Sequence, residues 1–294
     1  VMARLCARAL EAGIEVTFVR DLIRRRDLPV TDEARDLESW PWPVRIYTFG
    51  RFSIVNSESP AATHGRAPSR PLALLAALLA EGGRGVPDHR LCEILWPDAE
   101  GDAAHRAFDT TLHRLRKLLG HERALLLSDS KLSLNPALCW VDSWNFERLL
   151  GRIDLLLKNP DSAATHRALL HRLSARLHGL YRGPFLGRDA QTNWAVAQRE
   201  RLQTKYLCLL NTLGRQWEAA GDWERSAEVY EKAVDVHPQA EEYYQRLIRA
   251  YRQLGRNADA QAIYQRCRQT LQATLGRPPS AETEAVIRPS AARD

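Results

Sequence analysis

The sequence predicts an α+β fold in which a mixed first half precedes an all-α second half. Strand-like runs of β-branched and aromatic residues lie between Val44 and Leu134. From Trp144 onward the apolar residues follow helical spacing, and no convincing strand pattern interrupts them. Part of this second half also repeats itself. The 294 residues suit two domains, each with its own hydrophobic core.

The first 43 residues differ in pattern from the rest of the chain. Residues 3 to 26 predict one or two amphipathic helices that end in the basic run Arg24 to Arg26. Residues 29 to 43 are acidic and contain three prolines, and each proline biases the preceding residue away from helix. We therefore predict that residues 1 to 43 are a helical remnant of an upstream region and a linker.

The next segment begins with strands and continues with helices. Residues 44 to 55 have the composition of strands, with a turn or bulge at Gly50. Helices are predicted at residues 71 to 81, 87 to 96 and 103 to 119. We expect Asp102 or a neighbour to cap the third helix.

A hairpin completes this segment. Residues 124 to 134 form two apolar runs around the polar turn from Ser128 to Lys131. Strands, three helices and a hairpin, in that order, are the layout of a winged helix-turn-helix domain with an added N-terminal sheet. We place this domain at residues 44 to 142 and expect it to fold without the helical half.

The second half contains a repeat of 34 residues. Leu213, Trp217, Gly221 and Tyr230 recur 34 positions later as Leu247, Tyr251, Gly255 and Tyr264. This period is typical of tetratricopeptide helix pairs, which bury their apolar faces by stacking on one another. We therefore predict a tetratricopeptide-like helical repeat domain at residues 143 to 294.

The third predicted helix carries the candidate functional residues. At helical spacing, one narrow apolar stripe faces the core, made of Phe108, Leu112, Leu115 and Leu119. The opposite side is basic and hydrogen-bonding, with Arg106, Thr110, His113, Arg114 and Lys117. Such a face suits the major groove of DNA, and an ordinary solvated helix face is the structural alternative. Lys131 in the hairpin turn is a candidate phosphate contact or a residue that serves solubility.

The helix and its flanks resemble the OmpR-type winged helix. The helix reads AHRAFDTTLHRLRKLL, with LCEILWP before it and LSLNP after it. The resemblance implies base contacts at Thr110 and Arg114, and contacts with the DNA backbone near Arg116 and Lys117. Thr110 is polar where relatives often carry an aliphatic residue, and the hairpin lacks the glycine and aromatic ending common in that family.

Later motifs resemble the bacterial transcriptional activator domain. They are LYRGPFL at 180 to 186, Trp194, Arg199, the pair of repeats, and LGRPPSAET at 275 to 283. This domain comes after the winged helix in the SARP regulators of antibiotic pathways and in larger multidomain activators. The resemblance spans residues 44 to 283 and implies promoter activation by a homodimer on repeated half-sites.

These observations together predict a sequence-specific transcription activator in the cytoplasm. Double-stranded DNA is the expected partner, with RNA polymerase or an upstream regulatory domain as further partners. The sequence contains no P-loop, nucleophile elbow or HExxH motif, so we expect no enzyme, cofactor or metal. The five cysteines form no CxxC pair, which indicates reduced thiols.

The distribution of charge leaves a second interpretation open. Residues 44 to 145 carry 12 basic and 11 acidic side chains, so the predicted winged helix is nearly neutral. The net charge of +6 therefore supplies no argument for DNA by itself. The alternative is a tetratricopeptide-like adaptor whose winged helix binds protein.

Overall fold

The computed structural model describes residues 1–56, 63–64, 69–158, 167–187 and 193–288. Contacts within the chain divide it into two compact units. The first comprises Val1–Ile153 with His166–Glu200, and the second comprises Asp154–Thr165 with Arg201–Asp294. This division groups residues differently from the predicted domains, because the first unit also includes residues 1–43 and the beginning of the helical half. The boundaries at residues 43 and 142 stay predictions.

Helices account for most of the described chain. They are α1 Met2–Glu11, α2 Val16–Arg25, α3 Asp32–Arg35, α4 Arg70–Ala80, α5 Asp88–Leu95, α6 Gly101–Leu119, α7 Asp142–Lys158, α8 Arg167–Leu180, α9 Asn193–Ala219, α10 Trp223–Val236, α11 Glu241–Gln253, α12 Asn257–Leu275 and α13 Ala281–Ile287.

Among the described residues, the strands all precede α7. They are β1 Val44–Tyr47, β2 Ser53–Asn56, β3 Thr63–His64, β4 Val86–Pro87, β5 Leu125–Ser128, β6 Lys131–Leu134 and β7 Cys139–Val141. The fold class predicted from the sequence, a winged helix-turn-helix and then an all-α helical repeat region, is confirmed.

The first sheet has the strand order β3-β2-β1-β7. β1 and β2 pair antiparallel around the predicted turn at Gly50, whose φ of +76° favours glycine. β7 pairs parallel to β1 and was not predicted. Its three residues, Cys139, Trp140 and Val141, are all buried and therefore give no alternating pattern.

Three helices form the core of the winged helix. α4 carries proline in its first turn, as predicted, and buries a continuous set of leucines that includes Leu74, Leu75 and Leu78.

The predicted cap of α6 is wrong. The helix begins at Gly101, its N-cap is Glu100 with no side-chain cap hydrogen bond, and Asp102 lies inside the first turn. A carboxylate there still interacts favourably with the helix dipole.

The segment predicted as a linker is packed against helices of the first unit. Trp40 and Trp42 are buried, and Asp36 is only 6 % exposed. The Asp36 carboxylate accepts from Arg148 Nε at 2.9 Å and also pairs with Arg152. Arg176 Nη2 donates to the backbone oxygen of Asp36 over 2.6 Å. Residues 32 to 42 are therefore an anchored part of the first unit.

Asp142 joins the first sheet to the start of α7. Its buried carboxylate accepts from the Thr48 backbone N–H and hydroxyl at 2.8 and 2.6 Å. It also accepts from the backbone N–H groups of Phe49 and Ser143, at 3.0 and 2.7 Å. The Phe49 ring packs 4.9 Å from the ring of Phe146 on α7. These contacts hold the end of β1 against the first turn of α7.

The second unit is an all-α core built around the predicted repeats. α10 packs on α11, α11 packs on α12, and α13 covers α11 and α12. The paired repeat positions Leu213 and Leu247 are both buried. The last pair differs, because Tyr230 is fully buried and Tyr264 only partly so.

Candidate nucleic-acid interface

The apolar face of α6 anchors this helix in the winged-helix core. Phe108, Leu112, Leu115 and Leu119 are all buried, as their spacing predicts. Gly120 ends the helix with a φ of +69°. The opposite face is therefore held outward by packing over the whole length of the helix.

That opposite face carries the predicted site residues. Arg106, Thr110, His113, Arg114 and Lys117 are exposed, and Arg116 is half-buried on the flank. The Thr110 hydroxyl donates to the backbone oxygen of Arg106 at 2.9 Å. This bond fixes the hydroxyl, while the methyl group and the oxygen lone pairs of Thr110 stay accessible to a ligand.

The cations of this face have no carboxylate partner within the described residues. No ion pair there involves Arg106, His113, Arg114, Arg116 or Lys117. Arg106 instead donates to the backbone oxygen of Asp102 at 3.3 Å. The positive charges of α6 are thus available to an anionic ligand.

The hairpin of β5 and β6 is a two-residue turn beside this helix. Asp129 and Ser130 occupy the turn with φ values of +50° and +56°, as a type I′ hairpin requires. The backbone N–H of Asp88 donates to Ser130 O at 2.8 Å, which ties the turn to the start of α5. Lys131 comes directly after the turn and is exposed, with no ion pair to a described carboxylate.

A groove of about 1010 Å³ separates the C-terminal half of α6 from β5. His113, Arg116 and Lys117 line it on the helix side. Arg106, Thr110, Arg114 and Lys131 are not part of its wall. The predicted site residues therefore fall into two groups, with Arg106, Thr110 and Arg114 on the outward face and the other three helix residues beside the groove.

Sequence reasoning missed the residues that complete this groove. His121 and Arg123 lie just after the end of α6, and the exposed Leu126 and Leu127 lie on β5. Two adjacent exposed leucines in a short strand were the available signal, because a half-buried strand alternates apolar and polar residues.

Other kinds of site find no support in the described residues. They contain no cluster of three His, Cys, Asp or Glu side chains that could hold a metal ion. Within the same residues, no helix is both long and apolar enough to cross a bilayer. The outward face of α6 and the adjacent groove hold the predicted site residues of this helix.

Comparison with known proteins connects this architecture to transcription. The family model described as "Bacterial transcriptional activator domain" matches residues 141–289, about half of the chain. A solved structure of Mycobacterium tuberculosis EmbR in complex with a low-affinity phosphopeptide has a similar fold, with a TM-score of 0.55 and 22 % identity. The similarity covers 83 % of this chain and 64 % of the EmbR chain. A search of curated proteins found no match.

Proposed function

The chain belongs to the bacterial transcriptional activator domain family, and from this premise we propose that it activates transcription by binding specific duplex DNA through α6 and the hairpin. The family consists of transcription regulators and not of enzymes. The chain is therefore a transcriptional activator of the SARP type, and the proposal concerns how it recognises its promoter.

One observation carries this proposal. The outward face of α6 presents exposed cations without carboxylate partners among the described residues, while the opposite face is fixed in the core. When such cations bind DNA phosphates, condensed counterions are released, and this release favours the complex. A helix packed on one side and basic on the other is also the element that winged helices insert into the major groove.

The site residues divide into base-reading and backbone-binding groups under this proposal. Arg106, Thr110, His113 and Arg114 reach base edges, where arginine donates to guanine and the threonine methyl meets thymine. Arg116, Lys117 and Lys131 contact phosphate oxygens, which sets the register of the protein on the duplex.

The helical half supplies protein contacts in this proposal. We assign residues 44–142 to DNA binding and 143–294 to dimerisation and to contacts with RNA polymerase or an upstream regulatory domain. A homodimer on two half-sites makes the second binding event intramolecular and so raises the affinity for DNA. The cytoplasm is the compartment in which these partners occur.

Selection of DNA fragments by the purified chain tests the proposal. Retained fragments are expected to share a direct or inverted repeat spaced by about one helical turn, roughly 10 base pairs. Binding to that site should weaken steeply between about 50 and 200 mM salt, because each phosphate contact releases counterions. Fragments without a shared motif, or no binding at low salt, would instead support the adaptor interpretation.

A further inference from the structure

One wall of the groove between α6 and β5 has features that the proposed DNA binding does not account for. Its volume of about 1010 Å³ lies at the upper end of ligand pockets in proteins, roughly 300 to 1,000 Å³. All four residues of β5 line it, from Leu125 to Ser128. One side of the groove is therefore an entire strand and the other is a helix.

The strand β5 offers unpaired backbone groups to this groove. It lies at the edge of the second sheet, whose order is β4-β6-β5. Ser128 and Lys131 are the pair that closes the two-residue turn, so they exchange hydrogen bonds, and so does the pair Leu126 and Ser133. The N–H and C=O of Leu127 then point away from β6. An edge with such groups is a template for another strand.

The side chains along this edge are apolar and exposed. Leu126 is 44 % exposed and Leu127 is 41 % exposed, among the few large apolar side chains with such exposure in the described chain. The charged phosphates of DNA would not favour their burial. An extended peptide would, because its alternating side chains can cover both leucines.

The groove is lined mainly by basic side chains, and these favour an acidic peptide. His113, Arg116, Lys117 and Arg123 line it, and Glu122 is the single carboxylate among its described lining residues. None of these four basic side chains pairs with a described carboxylate. A peptide with Asp or Glu on the side that faces α6 would therefore be attracted, and a basic peptide would be repelled.

We propose that this groove binds an extended acidic segment of a partner protein, which adds as a strand to the outer edge of β5. The inference rests on the proposed function in one respect, because His113, Arg116 and Lys117 belong to both sites. A bound segment neutralises these cations and excludes the DNA backbone from them. The partner is thus an inhibitor that competes with DNA.

A labelled octapeptide that alternates glutamate with valine is the probe for this site. Two further versions carry N-methyl groups on alternate amides, in one register or in the other. A strand added to β5 donates only every second N–H, so one N-methylated version should bind at least tenfold more weakly than the other. Equal binding of both versions, or no binding of the unmodified peptide at low salt, overturns the proposal.

Variants of the full chain separate the peptide site from the DNA site. Leu127→Pro removes the outward N–H without removing a bond to β6, a position where an edge strand tolerates proline. We expect it to lose peptide binding at least tenfold and to bind the selected DNA within threefold of the unaltered chain. Leu127→Ala is the matched control that keeps the N–H and should retain more of the peptide affinity.

Arg114→Ala provides the converse test, because Arg114 is outside the groove wall. It should weaken DNA binding and leave the peptide affinity unchanged. If the chain binds peptide and no DNA, the proposed function fails while the groove proposal stands, without its inhibitory role. If DNA binds and the peptide does not compete with it, the groove proposal fails alone.

Discussion

Two basic residues of the winged helix have different surroundings, although both are exposed. Arg114 lies on a helix whose other face is buried, so the position of its backbone is fixed by the core. Lys131 comes after a two-residue turn, where a single flexible cation can reach a phosphate and lacks the rigid fork of an arginine.

Substitution of these two residues should separate base reading from charge. Arg114→Ala is expected to cost about 1 to 3 kcal/mol on the selected site and to relax the base preference at one position. Lys131→Ala should weaken binding to all sequences equally and lower the salt slope by about one contact. Titrations against matched and scrambled duplexes measure both effects. An equal loss on both duplexes for Arg114→Ala would move base reading to Arg106, Thr110 or His113.

The buried environment of Asp142 makes the stability of the fold depend on pH in the acidic range. Burial raises the pKa of its carboxyl from the ordinary 3.8 to about 6, although its four hydrogen-bond donors act to lower it. In the unfolded chain this pKa returns to about 3.9. The folded state therefore binds the proton more tightly than the unfolded state does.

The stabilisation from this proton is full below about pH 4 and is lost as the pH rises through about 6. Urea unfolding of the unaltered chain and of Asp142→Asn, from pH 4.5 to 7.5, checks the sign. Relative to the variant, which cannot titrate at this position, the unaltered chain should lose stability as the pH increases. Parallel curves would mean that the four donors balance or outweigh burial, so that the pKa of Asp142 is not raised by folding.

At the scale of elements, equivalent positions in the two repeats are not equally packed. The ring of Tyr230 on α10 is fully buried over Gly214, where an added Cβ would lie 2.3 Å from the ring. Tyr264 on α12 packs against the same core from its edge and stays partly exposed. The period of 34 residues therefore predicts which positions are equivalent in the two repeats, but not how deeply each side chain is buried.

Alanine substitutions should reveal this difference. Tyr230→Ala leaves a cavity and is expected to cost about 3 to 5 kcal/mol, as for other buried aromatic rings. Tyr264→Ala is expected to cost roughly 1 to 2 kcal/mol, because the core loses less contact there. Chemical unfolding of both variants provides the comparison. Equal costs would contradict the burial difference between the two rings.

Elements with a strong period were predictable and short elements were not. The 19 residues of α6 repeat an apolar position every three or four residues, so both its core face and its exposed face can be derived from the sequence. β7 has three residues, all buried, and its pairing with β1 joins positions about 95 apart in the chain. No local pattern contains that information.

The groove was unpredictable for a related reason. Its cations come from α6 and from the turn after it, and its apolar wall comes from β5. The basic segments look like an ordinary solvated surface in the sequence, and the adjacent leucines of β5 do not show what lies beside them. Only the placement of the hairpin beside α6 brings the cations and the apolar wall together. The nearly neutral charge of the whole segment gives no sign of this local basic surface.

At the scale of the whole molecule, the first unit extends beyond the predicted winged helix. Phe49 packs against Phe146 on α7 and lies 5.1 Å from the ring of Tyr181. Gly50 approaches the backbone of Arg182 so closely that an added Cβ would lie 2.9 Å from its oxygen. The winged helix and the beginning of the helical half therefore share one core.

A comparison of two fragments tests this shared core. Residues 44–142 exclude Phe146 and Tyr181 and should melt at a lower temperature than residues 1–200, which retain both. Exposure of the Phe49 ring in the shorter fragment alone should lower the free energy of unfolding by about 1.5 to 3 kcal/mol. Melting curves measured by circular dichroism compare the fragments. Identical melting temperatures would restore the expectation that residues 44–142 fold without the helical half.

The attachment of Asp36 to Arg148, Arg152 and Arg176 also has a mechanical consequence. A load applied to the N-terminus reaches β1 only through residues 32 to 42, where three arginines of α7 and α8 hold Asp36. The strand β1, only a few residues further along, is shielded from that load until these contacts break. The contacts of Asp36 with the three arginines therefore protect the first sheet from mechanical unfolding that starts at the N-terminus.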